Sequence, residues 1–280
     1  MREVSCAAVT QAVRDLCIQA NTQLTGDVCQ AIRQARGQER SPVGAAILGD
    51  LEENFTFAAQ RGLPICQDTG MAVVFVDWGQ DCHLTGGTLE EAVNAGVARG
   101  YVEGNLRLSV VADPLRRGNT NDNTPAVLYT RLTAGDQVTI TVAPKGFGSE
   151  NMSQIKMLKP ADGVEGFKKF VLDTVKLAGS NPCPPIVLGI GVGGSFDKVA
   201  YLAKKALLRP LDIPNPDPYY AQLEQELLTA INALGIGPQG FGGKTTCLGL
   251  AIEQMPTHVA GLPVAVNVSC HVTRRASAEL

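Results

Sequence analysis

Pro64-Ile65-Cys66-Gln67-Asp68-Thr69-Gly70, running directly into Met71-Ala72-Val73-Val74-Phe75-Val76, is the stretch around which this chain is organised. A short, unbroken apolar run bounded by a Thr-Gly turn signal reads as a buried strand. Ahead of it stand a cysteine, an amide and a carboxylate in succession. A thiol, an amide and a carboxylate at the head of a buried strand can all address one cleft, and loops at strand ends are where binding and catalytic groups gather.

Working outward, the N-terminal side reads as helical. Residues 4–36 give two helices joined at Gly26-Asp27, and Ser41-Pro42 looks like an N-cap with proline at the first helical position, opening a third helix to about Ala59. On the other side, Thr88-Leu89-Glu90-Glu91 has the form of a capping box for a helix to about Arg99. Leu106-Arg107-Leu108-Ser109-Val110-Val111 alternates like a strand, with Arg107 on one face. Arg116–Pro125 is a loop dense in turn formers, and strands near 126–132 and 137–143 about the turn Ala134-Gly135-Asp136 predict a hairpin.

Pro144-Lys145-Gly146-Phe147-Gly148-Ser149-Glu150-Asn151 then has glycines that free backbone N–H groups to meet an anion. Beyond it the pattern predicts a helix near 163–178, a strand Ile186–Ile190, helices near 195–207 and 217–234, and strands near 247–253 and 264–269. The expectation is a mixed α/β fold with mixed and antiparallel strands surrounded by helices, in a single domain over residues 1–280.

Composition narrows the function. With 45% hydrophobic and 18% charged residues among 280, the chain can bury a large core. Its net charge is −3 and no basic stripe occurs, which argues against nucleic acid as a partner. No signal core opens the sequence and no apolar run could span a bilayer, so no membrane partner and a cytoplasmic location are expected. Eight cysteines in such a chain suit reduced thiols better than a disulfide scaffold. Cys6, Cys17 and Cys29 lie in helical patterns and read as small buried hydrophobes.

Two glycine-rich stretches imitate nucleotide loops. Gly189-Ile190-Gly191-Val192-Gly193-Gly194 matches the dinucleotide fingerprint, yet no second strand with an acidic residue follows at the required distance, so close packing of strand on helix is the better use of these glycines. In Gly237-Pro238-Gln239-Gly240-Phe241-Gly242-Gly243-Lys244-Thr245 the glycine that a phosphate-binding loop needs is Pro238, and the spacing fails. Whether Lys244 binds a ligand or is a solvated turn residue stays open.

Cys66, Cys183 and Cys270 stand apart from the other cysteines because each is expected at a strand end. Prolines flank Cys183 in Asn181-Pro182-Cys183-Pro184-Pro185 and stiffen its turn. Their wide separation fits no compact ferredoxin run and lacks the close ligand pairs of zinc sites, so spacing by itself favours three buried structural cysteines over a ligand set.

The motifs together resemble a known family. Ile65-Cys66-Gln67-Asp68-Thr69-Gly70, Lys145-Gly146-Phe147-Gly148-Ser149-Glu150-Asn151, Cys183-Pro184-Pro185 and Val268-Ser269-Cys270 occur in the order seen in the alpha subunit, or N-terminal part, of the class I iron–sulfur fumarate hydratases. Tartrate dehydratase alpha subunits are relatives of that family, and the resemblance covers nearly the whole chain.

It implies a [4Fe–4S] cluster held by Cys66, Cys183 and Cys270, with one iron left open as a Lewis acid for reversible hydration of fumarate to (S)-malate. By the same resemblance Gln67, Asp68, Arg107, Gly148 and His258 would bind the small dicarboxylate substrate, with Asp68 and His258 as catalytic groups. Read without it, Arg107 is a strand arginine in a surface ion pair and His258 a satisfied or solvated histidine. Lys145 and Asn151 would shape the glycine loop, while Arg274 and Arg275 could contact either substrate or partner. The family's catalytic threonine and further basic contacts come from a second domain or a beta subunit, so a beta-subunit partner in an α₂β₂ assembly is expected. The Lys-Gly-Phe-Gly-Ser-Glu-Asn loop is of the fumarase kind, whereas tartrate enzymes tend to carry a Gly-Gly-Gly-Cys type. An L(+)-tartrate dehydratase alpha subunit and a non-catalytic iron–sulfur subunit are the alternatives.

Overall fold

The structure is a computed structural model describing residues 1–280. It opens with β1 (Arg2–Ser5), α1 (Cys6–Thr22), α2 (Gly26–Gln38) and α3 (Pro42–Arg61). Next come β2 (Val73–Gly79), β3 (Cys82–Thr85), α4 (Leu89–Glu103), β4 (Val127–Thr133) and β5 (Val138–Val142). α5 (Phe147–Glu150), β6 (Gln154–Leu158), α6 (Gly163–Ala178), β7 (Ile186–Gly193) and α7 (Phe196–Ala206) follow. The last elements are α8 (Pro218–Asn232), β8 (Cys247–Met255), β9 (Leu262–Ser269) and β10 (Ala276–Glu279). This is the mixed α/β class that the sequence predicts. The residues gather into two compact units built from separate segments: Met1–Thr25, Phe55–Phe147 and Arg274–Leu280 form the first, Gly26–Asn54 and Gly148–Thr273 the second. No helix is long and apolar enough to cross a membrane.

In the first unit, a four-stranded sheet has the order β10-β5-β2-β4, with β2 parallel to β4 and antiparallel to β5. The apolar run 71–76 does form its buried heart, since Val73, Val74, Phe75 and Val76 are all buried. That burial decides the pairing. β4 and β5 do not form the expected hairpin, because β2, apolar on both faces, takes the central place and accepts one of them on each side. The connecting turn instead wraps the end of β2: Gly79 N donates to Gln137 O, Gln80 N to Thr133 O and Asp81 N to Gly135 O. α1 lays Val9, Val13, Leu16, Cys17 and Ala20 against this core, an i, i+4, i+7 stripe. α4 begins with the expected capping box: Thr88 Oγ1 accepts from Glu91 N, and Glu91 Oε2 accepts from Thr88 N.

Residues 106–111 are not the strand that their alternation suggested. They run as irregular chain with a single bridge, Val111 to Asn119, because side chains satisfy their donors: Asn123 Oδ1 accepts from Ser109 N and Val110 N. The short strands β1, β3, β6 and β10 escaped the sequence reading.

The second unit has the sheet order β6-β9-β7-β8. β7 runs parallel to β8 and antiparallel to β9, and both β7 and β9 are buried almost throughout. α7 lies directly on β7. A Cβ on Gly189 would stand 2.1 Å from Ala203 O and one on Gly191 2.2 Å from Val199 O. These glycines of the fingerprint-like stretch therefore serve strand–helix packing. The other glycine-rich loop receives an internal anion: Glu39 accepts from Lys244 N and Thr245 N, and the Lys244 ammonium donates to Gln38. Ser41 caps α3 through Gly44 N, as the Ser-Pro pair predicts.

Candidate active site

The loop 64–70 of the first unit is fixed residue by residue, mostly by side chains from distant segments. Gly70 has φ +75°, open to glycine at little cost, and a Cβ there would stand 2.6 Å from the Lys145 carbonyl carbon. That closeness permits the bridge in which Met71 N and Lys145 N each donate to the other's carbonyl. The Tyr101 hydroxyl, wholly buried, reaches Thr69 O and Gly70 O, each at 3.0 Å. Asn123 Nδ2 donates to Gly70 O as well. Burial holds the Tyr101 phenol far above its ordinary pKa, so it remains a neutral donor.

Asp68 is the centre of this network. Its Oδ1 accepts from Gly70 N and its Oδ2 from Phe147 N, each at 2.9 Å, so one carboxylate closes its own turn and pins the Lys145–Phe147 segment to it. Behind it, the buried Arg274 guanidinium donates to Asp68 O at 2.5 Å and to Pro144 O at 3.5 Å. Arg274 Nη1 is buried without a hydrogen-bond partner. The Arg107 backbone is locked to the same loop, Arg107 N donating to Thr69 Oγ1 and that hydroxyl reaching Arg107 O. The Arg107 side chain is exposed, as is Gln67, and Cys66 is half-buried. Cys66, Gln67, Asp68 and Arg107 are thus organised within one unit, with buried Lys145 on the adjoining segment.

The remaining expected residues belong to the second unit. Gly148 lies in the short helix α5, exposed, with nothing within 4 Å of where a Cβ would project. The Glu150 carboxylate, two residues on, pairs with Lys204 of α7 and accepts from Asn267 Nδ2 of β9; Asn267 Nδ2 also donates to Ser153 Oγ. The backbone around Gly148 is thereby anchored to the strand that ends next to Cys270. Cys183 is exposed just before β7, and Cys270 is half-buried just after β9. The His271 ring donates from Nδ1 to Cys183 O at 3.0 Å, linking these two cysteine segments. His258 is exposed; its Nδ1 accepts from Ala260 N, and it borders an apolar cavity of about 390 Å³ with Phe167, Tyr219, Tyr220 and Leu262.

No three His, Cys, Asp or Glu side chains stand together as a ready-made metal cage. None of the eight cysteines is in a disulfide. Cys17 and Cys247 are buried, which pushes each thiol up to about 12 and leaves it inert at neutral pH. Tyr101, Asn123, Arg274, Gln239 and His271 were not foreseen in anchoring roles, for each acts through one side chain on a backbone group far along the chain.

A family model described as fumarate hydratase (Fumerase) matches residues 10–279. The chain belongs to that family. A protein of Methanocaldococcus jannaschii, named provisionally as an L(+)-tartrate dehydratase subunit alpha, is 41% identical over 274 residues, covering 96% of each chain. The L(+)-tartrate dehydratase subunit alpha of Escherichia coli K12 is 33% identical over 270 residues, 95% of this chain and 89% of its own. The same holds for the subunit of that name from Shigella sonnei. The fumarase family thus includes alpha subunits of hydro-lyases among this chain's relatives, in agreement with the resemblance carried by the cysteine motifs.

Proposed function

We propose that this chain is the alpha subunit of an iron–sulfur-dependent hydro-lyase that hydrates fumarate reversibly to (S)-malate, completed by a separate beta subunit. The observation that carries the reading is the family match across nearly the whole chain, residues 10–279. The choice of fumarate rests on the loop Lys145–Asn151. A second reading, an L(+)-tartrate dehydratase alpha subunit, is favoured by the names of the relatives.

In this proposal Cys66, Cys183 and Cys270 hold a [4Fe–4S] cluster. The donor set suits such a group, since iron–sulfur clusters take thiolate ligands and each of these cysteines, outside any disulfide, stands in a loop and is at least partly open. Bound there, the cluster would supply a Lewis-acidic iron. The chain's own residues bind and orient. Arg107 offers a guanidinium fork to a carboxylate, and Gln67 an amide. Open space above Gly148 lets a ligand approach the backbone. Asp68 and His258 are the proposed proton-handling groups. The Gly70 and Phe147 amides fix the direction of the Asp68 carboxylate. With Nδ1 accepting from Ala260 N, neutral His258 carries its proton on Nε2 and presents that N–H as a hydrogen-bond donor.

Anaerobic co-expression with a candidate beta chain, then rates on fumarate, malate and L(+)-tartrate, tests both readings. Fumarate and malate should turn over fastest and the alpha chain alone should be inactive. Tartrate as the preferred substrate would replace the first reading with the second. Bound iron and sulfide without turnover on any of the three would leave a non-catalytic iron–sulfur subunit.

A further inference from the structure

Cys183 sits in an uncommon backbone state. Its φ is +55°, the left-handed region that cysteine rarely adopts, and it is exposed, so its own packing does not hold it there. The turn 237–240 faces it with a second such residue, Gln239 at φ +52°. Gln239 grips the cysteine's neighbour twice, its backbone N donating to Pro184 O at 2.7 Å and its Nε2 to the same oxygen at 2.8 Å. The two segments are pressed together again at Gly240, where a Cβ would come within 2.4 Å of Ser180 Cβ.

The third contact comes from His271, whose Nδ1 lies 3.0 Å from Cys183 O and 3.4 Å from Gln239 Nε2. A carbonyl only accepts, so Nδ1 carries the proton and donates it to Cys183 O, while the Gln239 amide spends its N–H on Pro184. The carbonyls on both sides of Pro184, those of Cys183 and of Pro184 itself, are therefore held by two side chains, one of them next to Cys270. Residues in sparsely populated backbone states persist where their surroundings over-determine them, and such states cluster at functional sites.

We propose that Gln239 and His271 are positioning residues that set the Cys183 thiol in its outward direction before any metal arrives, and that His271 ties this setting to the neighbouring Cys270. The proposal rests on the reading of Cys183 and Cys270 as cluster ligands, but its first test does not need a cluster.

In the full-length, metal-free chain, the alkylation rate of Cys183 by iodoacetamide is measured by mass spectrometry against that of Cys66 in the same molecule. His271→Ala and Gln239→Gly should raise the Cys183/Cys66 ratio about threefold or more, with an unchanged thermal melt. His271→Asn, whose amide places an N–H where Nδ1 stands, should restore the wild-type ratio; since it carries no ring charge, that rescue separates geometry from electrostatics. After anaerobic reconstitution, iron and sulfide bound per chain should fall by half or more in the first two variants and recover in the third. Ratios and iron content equal to wild type in both His271→Ala and Gln239→Gly would overturn the proposal, as would failure of His271→Asn to differ from His271→Ala. If the wild-type chain takes up no iron, the ligand reading fails, and the alkylation ratio still decides whether these residues position Cys183.

Discussion

Substitution of Asp68 separates a carboxylate that holds the site from one that only acts on substrate. Asp68 accepts two backbone N–H groups, Gly70 and Phe147, each at 2.9 Å, and these fasten the loop 64–70 to the segment 145–147. A hydrogen bond to a charged group contributes about 1.5–3 kcal/mol when buried. Asp68 is half-buried, so solvent screening reduces each to about 1–1.5 kcal/mol. Asp68→Ala removes both and should destabilise the chain by about 2–3 kcal/mol. Asp68→Asn keeps one oxygen acceptor and should lose about half as much, roughly 1–1.5 kcal/mol. At about 2–4 °C per kcal/mol for a chain of this size class, the alanine variant should melt about 5–10 °C lower and the asparagine variant about 3–5 °C lower. The measurement is a calorimetric melt of the metal-free chain under anaerobic conditions, which excludes any contribution from substrate or metal. Both variants melting within a degree of wild type while hydration by the assembled enzyme is lost would refute the anchoring argument and leave Asp68 with a purely chemical role.

Other substitutions and conditions test neighbouring claims. Gly191→Ala drives a Cβ to within 2.2 Å of the Val199 carbonyl, so it should cost about 3 kcal/mol in urea unfolding; a loss under 0.5 kcal/mol would show that β7 and α7 are not packed as described. The Cys17 and Cys247 thiols are pushed up to about 12 by burial, whereas in the unfolded chain they ionise near the ordinary thiol value. The folded state then holds more protons above pH ~9, and stability should fall as pH rises from there toward 12, by about 1.4 kcal/mol per unit for each thiol. Replacing both with alanine should flatten that alkaline slope, and an unchanged slope would contradict it. Glu39 behaves oppositely: burial works to raise its pKa, but N–H donors of Lys244, Ser41, Arg40 and Thr245 outweigh it and hold the carboxyl below its ordinary value. Its contribution is present above the unfolded carboxylate's pKa and lost as pH falls through the lower folded one, so Glu39→Gln should remove part of the acid destabilisation and speed amide exchange at Lys244 and Thr245.

The sequence discloses those parts of the fold whose cause is local. The Thr88–Glu91 capping box and the Ser41-Pro42 start are decided within one turn and appear as read. The glycines of 189–194 could be assigned to packing because the second strand that nucleotide binding needs has no room in the residues that follow. Two misreadings have one physical origin. A short turn between β4 and β5 favours local pairing, and alternation in 106–111 favours a strand, but backbone donors go wherever the best acceptors are. For β4 and β5 the competitor is the doubly buried β2; for 106–111 it is the side chains of Asn123 and Thr69.

The candidate site divides along the same line. Cys66, Gln67 and Asp68 are legible because they are adjacent, whereas Tyr101, Asn123 and Arg274 reach the same loop from remote segments with no periodicity to announce them. Prolines beside Cys183 signal stiffness, yet proline alone does not choose φ +55° for the residue it follows or precedes; Gln239 and His271 supply contacts that can. Anchors of this kind hold the backbone of residues proposed to meet metal or substrate without needing to touch either. Loss of Tyr101 or Asn123 should therefore lower the melting temperature of the metal-free chain together with its capacity for iron, whereas loss of Arg107, whose guanidinium is exposed, should raise KM and leave the melt unchanged.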